Sequence, residues 1–323
     1  MTMRFYFAPL EGVTGYIYRN AHRRFYAPAD KYFMPFVSPN QHHVFTRREL
    51  AEVSPAHNDV ETCVPQLMTK CARDFIWAAG ALHAMGYREV NLNLGCPSGT
   101  VTAKGKGAGF LAAPDALDAF FAEIFSAADI RVSVKTRLGF AEEEEFDRLV
   151  EIFNRYPIAE LIVHPRVRAD FYKGAPRLDA FSRALSAIRA PVCYNGDIVT
   201  PEENAALHAR LDTVQTVMIG RGLVANPALL SQIRGGGAAD ARTLRAFHDA
   251  LYEGYCEAFG SRRSAVLRMK ELWFYMICLF DAGEACAKQI RRAADAPAYE
   301  AAVDGVFRTL NLRESARPDW RQP

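Results

Sequence analysis

The sequence contains no C-x-x-C pair, and its seven cysteines (Cys63, Cys71, Cys96, Cys193, Cys256, Cys278 and Cys286) are an odd number. This argues against a disulfide framework or a zinc knuckle and fits a reducing compartment. No apolar run reaches the ~18 residues of a membrane span. The best stretch, Leu272 to Phe280, is shorter and reads as a buried helix. The opening residues MTMRFYFAPLEG include no long apolar segment, so no secretory leader is expected and the chain reads as cytoplasmic. A Rossmann glycine fingerprint is missing, which leaves no fixed motif for a nicotinamide dinucleotide. Charge of one sign is missing too. The net value of +2 neither demands nor excludes a polyanionic partner, and a nucleic-acid binder of this composition must gather its cations on one face.

What is present is apolar side chain. Half of the 323 residues are hydrophobic and 24% are charged, enough for a large core and too little polarity for wholesale disorder. Strand-like runs occupy Arg4–Ala8, Tyr32–Phe36, Thr62–Leu67, Glu89–Leu94, Arg131–Thr136, Leu161–His164, Val192–Asn195 and Thr216–Ile219. Amphipathic helical stretches lie between most of them, clearest at Asp74–Met85, Pro114–Phe125, Glu142–Asn154, Asp179–Ile188 and Pro201–Leu211. Pro114, Pro201 and Pro227 suit first helical turns. Alternating β and α elements imply a parallel sheet with helices outside. Eight such units predict an α/β fold of the TIM-type (β/α)8 barrel class, which takes about 250 residues. Val37–Glu61 is less regular and reads as loops over the barrel mouth. Near Arg234–Asp240 the run RGGGAAD reads as a linker. Beyond it only helical spacing appears, over Leu244–Phe259, Ala265–Phe280, Glu284–Ala294 and Ala298–Leu310. The expected organisation is therefore a barrel over residues 1–235 and a small all-helical domain over 236–323.

Barrels of this class carry their chemistry at the C-terminal ends of the strands. Here those ends read Ala8-Pro9-Leu10-Glu11-Gly12, Gln66, Asn91-Leu92-Asn93-Leu94-Gly95-Cys96-Pro97, Lys135-Thr136-Arg137, His164-Pro165-Arg166, Asn195-Gly196-Asp197 and Gly220-Arg221-Gly222. Glycines after the last two strands, with Arg221 between two of them, suit a phosphate; tight turns alone are the competing reading. Lys135 ends an apolar strand, where a buried ammonium needs an anion or an acceptor. Reduced flavin supplies one, and a salt bridge to Glu11 or Asp197 is the alternative. His164 either hydrogen-bonds a ligand or caps its strand. Gln66 suits a flavin pyrimidine edge or a satisfied core position. Cys96, on a Gly-Cys-Pro turn before the stretch SGTVTAKGKGAGF, fits a proton donor on a movable loop, or an inert turn residue. Lys104 and Lys106 are anion anchors or solvated charges. The other six cysteines read as core.

Taken together, NLNLGCPSGTVTAKGKGAGFL, APLEGVTG, VKTRLG, HPRVRADFYKG, NGDI and MIGRGLVANP resemble, in order, the motifs of the tRNA dihydrouridine synthase family. The resemblance covers roughly residues 4–235, and RMKELWFYM extends it into the helical region. Leu10 and Gly15 stand where many members have methionine and aspartate. The resemblance implies an FMN enzyme that takes hydride from NADPH and reduces the C5–C6 bond of uridines in tRNA. It implies that Pro9, Leu10 and Glu11 lie along the flavin, that Gln66, Lys135 and His164 hold its ring, and that Arg166 lines the same mouth. Asn195, Gly196, Asp197, Gly220 and Arg221 would form the phosphate end, Asn93 would hydrogen-bond the target uracil, and Cys96 would be the general acid. The target base would have to leave its stack. RNA contacts would come from mouth loops and the helical domain, with Arg166, Arg168, Arg262, Arg263, Arg268, Lys270, Arg291 and Arg292 as candidates. Two other readings stay open: a flavin barrel acting on a small molecule, such as a dihydroorotate dehydrogenase or an ene-reductase, and a non-catalytic RNA-binding barrel.

Overall fold

The computed structural model describes residues 3–318. Its strands are β1 (Arg4–Phe7), β2 (Lys31–Phe33), β3 (Cys63–Val64), β4 (Gln66–Leu67), β5 (Glu89–Leu94), β6 (Arg131–Gly139), β7 (Leu161–Val167), β8 (Val192–Asn195) and β9 (Thr216–Ile219). They form one sheet in the order β3-β2-β1-β9-β8-β7-β6-β5-β4. The pairings β1–β2, β2–β3, β4–β5 and onward through β8–β9 are all parallel. The two ends of that order, β3 and β4, are separated only by Pro65. Proline has no N–H to give to a ladder, so it splits one strand into two pieces. Counted as one, they turn nine pieces into eight strands and close the barrel. Every residue of β5 and β7 is buried, as expected of parallel strands covered on both faces.

The helices are α1 (Tyr16–Phe25), α2 (Arg47–Val53), α3 (Ala72–Ala84), α4 (Gly99–Thr102), α5 (Pro114–Ala127), α6 (Glu145–Phe153), α7 (Leu178–Leu185), α8 (Pro201–Arg210), α9 (Arg221–Ala225), α10 (Leu229–Ile233), α11 (Ala241–Phe259), α12 (Arg262–Met276), α13 (Glu284–Arg292) and α14 (Ala296–Thr309). α5 shows why such segments coil. Pro114 opens it, Asp115 lies in its positive first turn, and Leu117, Phe120, Phe121 and Ile124 form one buried stripe. α1 carries no clean apolar stripe in the sequence because Arg19 and His22 are on its buried side; Arg19 donates to the Thr14 carbonyl at 2.8 Å. The Val37–Glu61 segment, expected as loops, also contains α2, which Thr46 and Glu49 start with a reciprocal capping box.

Contacts group the chain into two compact units. The first comprises the described part of Met1–Pro9, with Asp30–Gly196 and Leu211–Met218. The second comprises Leu10–Ala29, Asp197–Arg210 and the described part of Ile219–Pro323. The first unit holds the sheet except its last residue. At the N-terminal ends of its strands Lys31 Nζ meets Glu89 at 2.8 Å and Glu160 at 3.5 Å, and the Tyr6 hydroxyl donates to Glu160 at 3.0 Å. The second unit is helical. Asp240, Ser261 and Asp295 each cap a helix start by accepting a backbone N–H, and Gly260 ends α11 at φ +59°. Inside, Trp273 Nε1 donates to the Tyr299 hydroxyl at 3.0 Å, which also meets His248 Nε2 at 2.7 Å. Among the described residues no helix is long and apolar enough to cross a membrane. All seven cysteines are free. Cys63, Cys193 and Cys278 are core, as expected; Cys71 is instead exposed, because it is the residue that caps α3, and Cys256 and Cys286 are partly exposed.

Candidate active site

Residues 89, 91 and 93 share the inward face of β5 because side chains alternate along a strand. The register places Asn91 beside Gln66 of β4 and Ser133 of β6. The result is a hydrogen-bond chain running one way along the barrel interior. The N–H groups of Gly95 and Cys96 donate to Asn93 Oδ1, each at 3.0 Å. Asn93 Nδ2 donates to Gln66 Oε1 at 2.7 Å, and Gln66 Nε2 to Asn91 Oδ1 at 2.8 Å. Asn91 Nδ2 then donates to Ser133 Oγ at 2.9 Å, and Ser133 Oγ to Glu89 Oε1 at 2.8 Å. Links of the same sense polarise one another. They fix the backbone of the Cys96 turn from inside the barrel. Gln66 and Asn93 each keep one N–H beyond those used here.

Arg137 fixes the same turn from the other side. It is 1% exposed; its Nε donates to the Gly95 carbonyl at 2.8 Å and its Nη1 to the Val167 carbonyl at 3.0 Å. Its guanidinium also lies 5.3 Å from the Tyr172 ring centre. Burial pulls its pKa down. Arg137→Met is expected to leave the buried Val167 carbonyl and the partly buried Gly95 carbonyl without this donor and to lower stability by about 1–3 kcal/mol, read as an earlier urea midpoint at unchanged slope. The stretch after Cys96 is not an open loop. It forms α4 and a 3-10 turn over Gly107–Ala112, and Ala108 N–H donates to the Cys96 carbonyl at 3.0 Å. Gly107 has φ +55°, and a Cβ there would press on Cys96 at 2.9–3.0 Å, so only glycine fits.

Lys135, next along β6, keeps some accessible surface. Among the described residues of its own unit its side chain has neither hydrogen bond nor ion pair. Lost solvation, then the neighbouring Arg137, pull its pKa from 10.5 to about 8. Cys96 and Cys193 are within its electrostatic reach. Burial pushes the Cys193 thiol well up, which keeps it protonated and inert. His164 is 7% exposed and Arg166 0%. Arg166 Nη1 meets His164 Nε2 at 2.9 Å, which makes Nε2 the acceptor and places the imidazole proton on Nδ1. Its Nε and Nη2 donate to the carbonyls of Lys173 and Gly174 at 3.1 and 2.5 Å. The guanidinium thus orients His164 and braces the loop that carries Phe171 and Tyr172, which are 41% and 51% exposed.

Pro9 ends the first unit's opening segment; Leu10 and Glu11 belong to the second unit, Leu10 partly buried and Glu11 exposed. Asn195 and Gly196 close the first unit's long segment, and Asn195 Nδ2 donates to the Met218 carbonyl at 2.8 Å. A Cβ on Gly196 would collide with the Tyr194 ring. Asp197, Gly220 and Arg221 belong to the second unit. There Arg221 Nη2 pairs with Asp197 Oδ1 at 2.7 Å, so Asp197 already has a cation of its own.

Sequence reasoning placed Gln66, Asn93, Cys96, Lys135, His164 and Arg166 in one barrel, and the first unit contains all six. It did not single out Asn91, Ser133 or Arg137. The signal for Asn91 was the alternation of Glu89, Asn91 and Asn93 along β5, and for Ser133 and Arg137 the alternation of Ser133, Lys135 and Arg137 along β6, each putting polar groups on one face of a largely apolar strand.

Residues 6–270 match the family model described as dihydrouridine synthase (Dus). The chain is 33% identical over 235 residues to "Probable tRNA-dihydrouridine synthase 1" of Synechocystis sp., a match spanning 70% of this chain and 63% of that one. It is 32% identical over 241 residues to "Probable tRNA-dihydrouridine synthase" of Staphylococcus aureus, 69% of each chain. The match therefore spans less than two thirds of the Synechocystis protein's length. Among solved structures it resembles a 2-naphthoyl-CoA reductase with TM-score 0.55 at 10% identity, over 72% of this chain and 50% of that one. It also resembles a morphinone reductase variant with TM-score 0.52 at 14% identity, over 74% and 89%. At such identities the likeness is one of fold.

Proposed function

The chain belongs to the dihydrouridine synthase (Dus) family, and on that premise we propose that it reduces the C5–C6 bond of uridine in tRNA, with FMN as cofactor and NADPH as reductant. The observation that carries this reading is the Cys96 turn held by Asn93 and Arg137 beside a lysine that has no anion of its own unit. Lys135 tests the fit of a flavin: a desolvated ammonium without a carboxylate suits an acceptor that becomes anionic on reduction. When bound, the flavin would supply the hydride.

The protein's own residues have separate tasks. Gln66, Lys135 and His164 would hold the ring, His164 in the tautomer that Arg166 imposes. Asn195 and Gly196 in the first unit, and Asp197, Gly220 and Arg221 in the second, are the candidates for the phosphate end. Pro9, Leu10 and Glu11 would lie along the cofactor. Asn93 keeps one N–H for the uracil while its oxygen holds the turn. Cys96 would deliver the proton to C5, completing the reduction as a general acid. Residues 1–235 would carry the chemistry and 236–323 would dock the tRNA.

Purified protein, FMN, NADPH and an unmodified tRNA transcript are expected to yield dihydrouridine at defined positions. Orotate or an enone should not stimulate NADPH oxidation comparably. Faster turnover of either small molecule than of tRNA would replace this reading with that of a small-molecule reductase.

A further inference from the structure

Glu89 is buried at the start of β5, and Cys96 stands just beyond the other end of that strand. Glu89 Oε2 accepts from Lys31 Nζ at 2.8 Å and from Arg131 Nη2 at 3.3 Å. Between Glu89 Oε1 and the Cys96 turn lie Ser133, Asn91, Gln66 and Asn93, all buried and joined by hydrogen bonds of 2.7–2.9 Å. The two ends of this chain fix its sense. The N–H groups of Gly95 and Cys96 only donate, so the Asn93 atom facing them is oxygen. Asn93 Nδ2 then faces Gln66, which must answer with Oε1. Gln66 Nε2 meets Asn91 Oδ1, and Asn91 Nδ2 meets Ser133 Oγ. Ser133 has one proton, and Glu89 takes it. Each amide donates on one side and accepts on the other, so turning one requires turning all of them. Of the five side chains only Glu89 is unable to change roles. An amide can turn over and a hydroxyl can rotate, whereas a carboxylate has no proton to give.

We propose that Glu89 is a positioning residue for the reaction at the mouth: acting through Ser133, Asn91 and Gln66, its carboxylate holds the Asn93 amide with its oxygen on the Cys96 turn and an N–H left for the uracil. The proposal rests on the roles given above to Asn93 and Cys96. Glu89→Gln shows what the carboxylate does. Lys31 and Arg131 only donate, so they draw the new amide oxygen, and its Nε2 turns to Ser133. Ser133 then donates to Asn91, and the reversal runs on through Gln66 until Asn93 Nδ2 meets two N–H groups. Facing donors leave both backbone groups without an acceptor. Lys31 keeps Glu160 at 3.5 Å, so the substitution does not strip it of every anion.

The test is amide hydrogen exchange at Gly95 and Cys96 in the full-length protein as purified, followed by nuclear magnetic resonance, with dihydrouridine formation measured in parallel. In Glu89→Gln both amides are expected to exchange at least about ten-fold faster, and turnover should fall with them. The amides of β7 report any loosening of the whole barrel and should change less. Glu89→Gln/Asn91→Asp moves the acceptor-only group closer to the mouth. Asp at 91 accepts from Gln66 and Ser133 alike, so Gly95 and Cys96 should return to wild-type exchange although the ion pairs of Glu89 stay lost. A merely structural part for Glu89 predicts no such recovery. Ser133→Ala cuts the chain without touching those ion pairs, which keeps the test open should Glu89→Gln not fold. It should speed both amides about two- to ten-fold, the worth of one hydrogen bond, and Glu89→Gln added to it should speed them no further. Wild-type exchange in Ser133→Ala, or in a folded Glu89→Gln, would overturn the proposal. So would a folded double variant without recovery. Faster exchange with wild-type turnover would leave the coupling standing and overturn instead the roles given to Asn93 and Cys96.

Discussion

Cys96→Ala is expected to give a protein that is folded, yellow and able to bind tRNA, yet forms dihydrouridine about 10²–10⁴-fold more slowly, the usual contribution of a general acid. The fold should survive because the turn is held by main-chain groups. The Cys96 N–H reaches Asn93, and its carbonyl accepts from Ala108; among the described residues no hydrogen bond runs through its sulfur. Alanine keeps all of these contacts. It also fits the space against Gly107, which admits no extra carbon on its own side. The loss should fall on kcat rather than on tRNA affinity, since the thiol would act on a base already in place. The exposed Cys71 provides the control: Cys71→Ala should turn over normally. Wild-type turnover by Cys96→Ala would take the proton-donor role away from Cys96.

Lys135→Met should move two properties in opposite directions. Without ligand, the wild-type protein holds an ammonium that has lost solvation and has no counter-charge in its unit, and its pKa falls to about 8. Replacing it with an apolar chain of similar length removes that penalty, so the ligand-free variant should melt higher. FMN, however, should bind about 10–100-fold more weakly, the worth of a hydrogen bond from a charged donor. A purely structural lysine would lower both. The pH dependence has a fixed sign. Below pH 8 the ammonium is charged folded and unfolded, and its penalty is fully present. Between pH 8 and 10.5 the unfolded chain binds more protons than the folded one, so stability rises with pH. Above 10.5 both forms are neutral. Urea titrations of ligand-free protein over this window should show that rise in wild type and its absence in Lys135→Met. A destabilised variant that still binds FMN at wild-type strength would return Lys135 to a structural part.

The barrel was legible because its signals are local. Glu89–Leu94, Val192–Asn195 and Thr216–Ile219 were bounded from composition to the residue, since apolar runs flanked by glycine, proline or charge leave little freedom in where a buried strand stops. Hidden features needed partners distant in sequence. Pro65 reads as an interruption until the sheet order shows that it joins the barrel's two ends. Arg19 and His22 obscured α1 because a buried cation and imidazole are indistinguishable from surface residues without their acceptors.

The same division applies to the site. Residue type and order singled out Gln66, Asn93, Cys96, Lys135 and His164 on the expectation that strand ends in a parallel barrel gather at one rim; β6 and β7 run on to Gly139 and Val167, so Lys135 and His164 lie within their strands rather than at the ends. Tertiary structure decided how those groups are bonded: Asn93 to the Cys96 turn, Arg166 to His164, Asp197 to Arg221, and Lys135 to no anion of its unit. Hydrogen bonding and solvation depend on distances of a few ångströms between residues far apart along the chain, and no local pattern of letters encodes them.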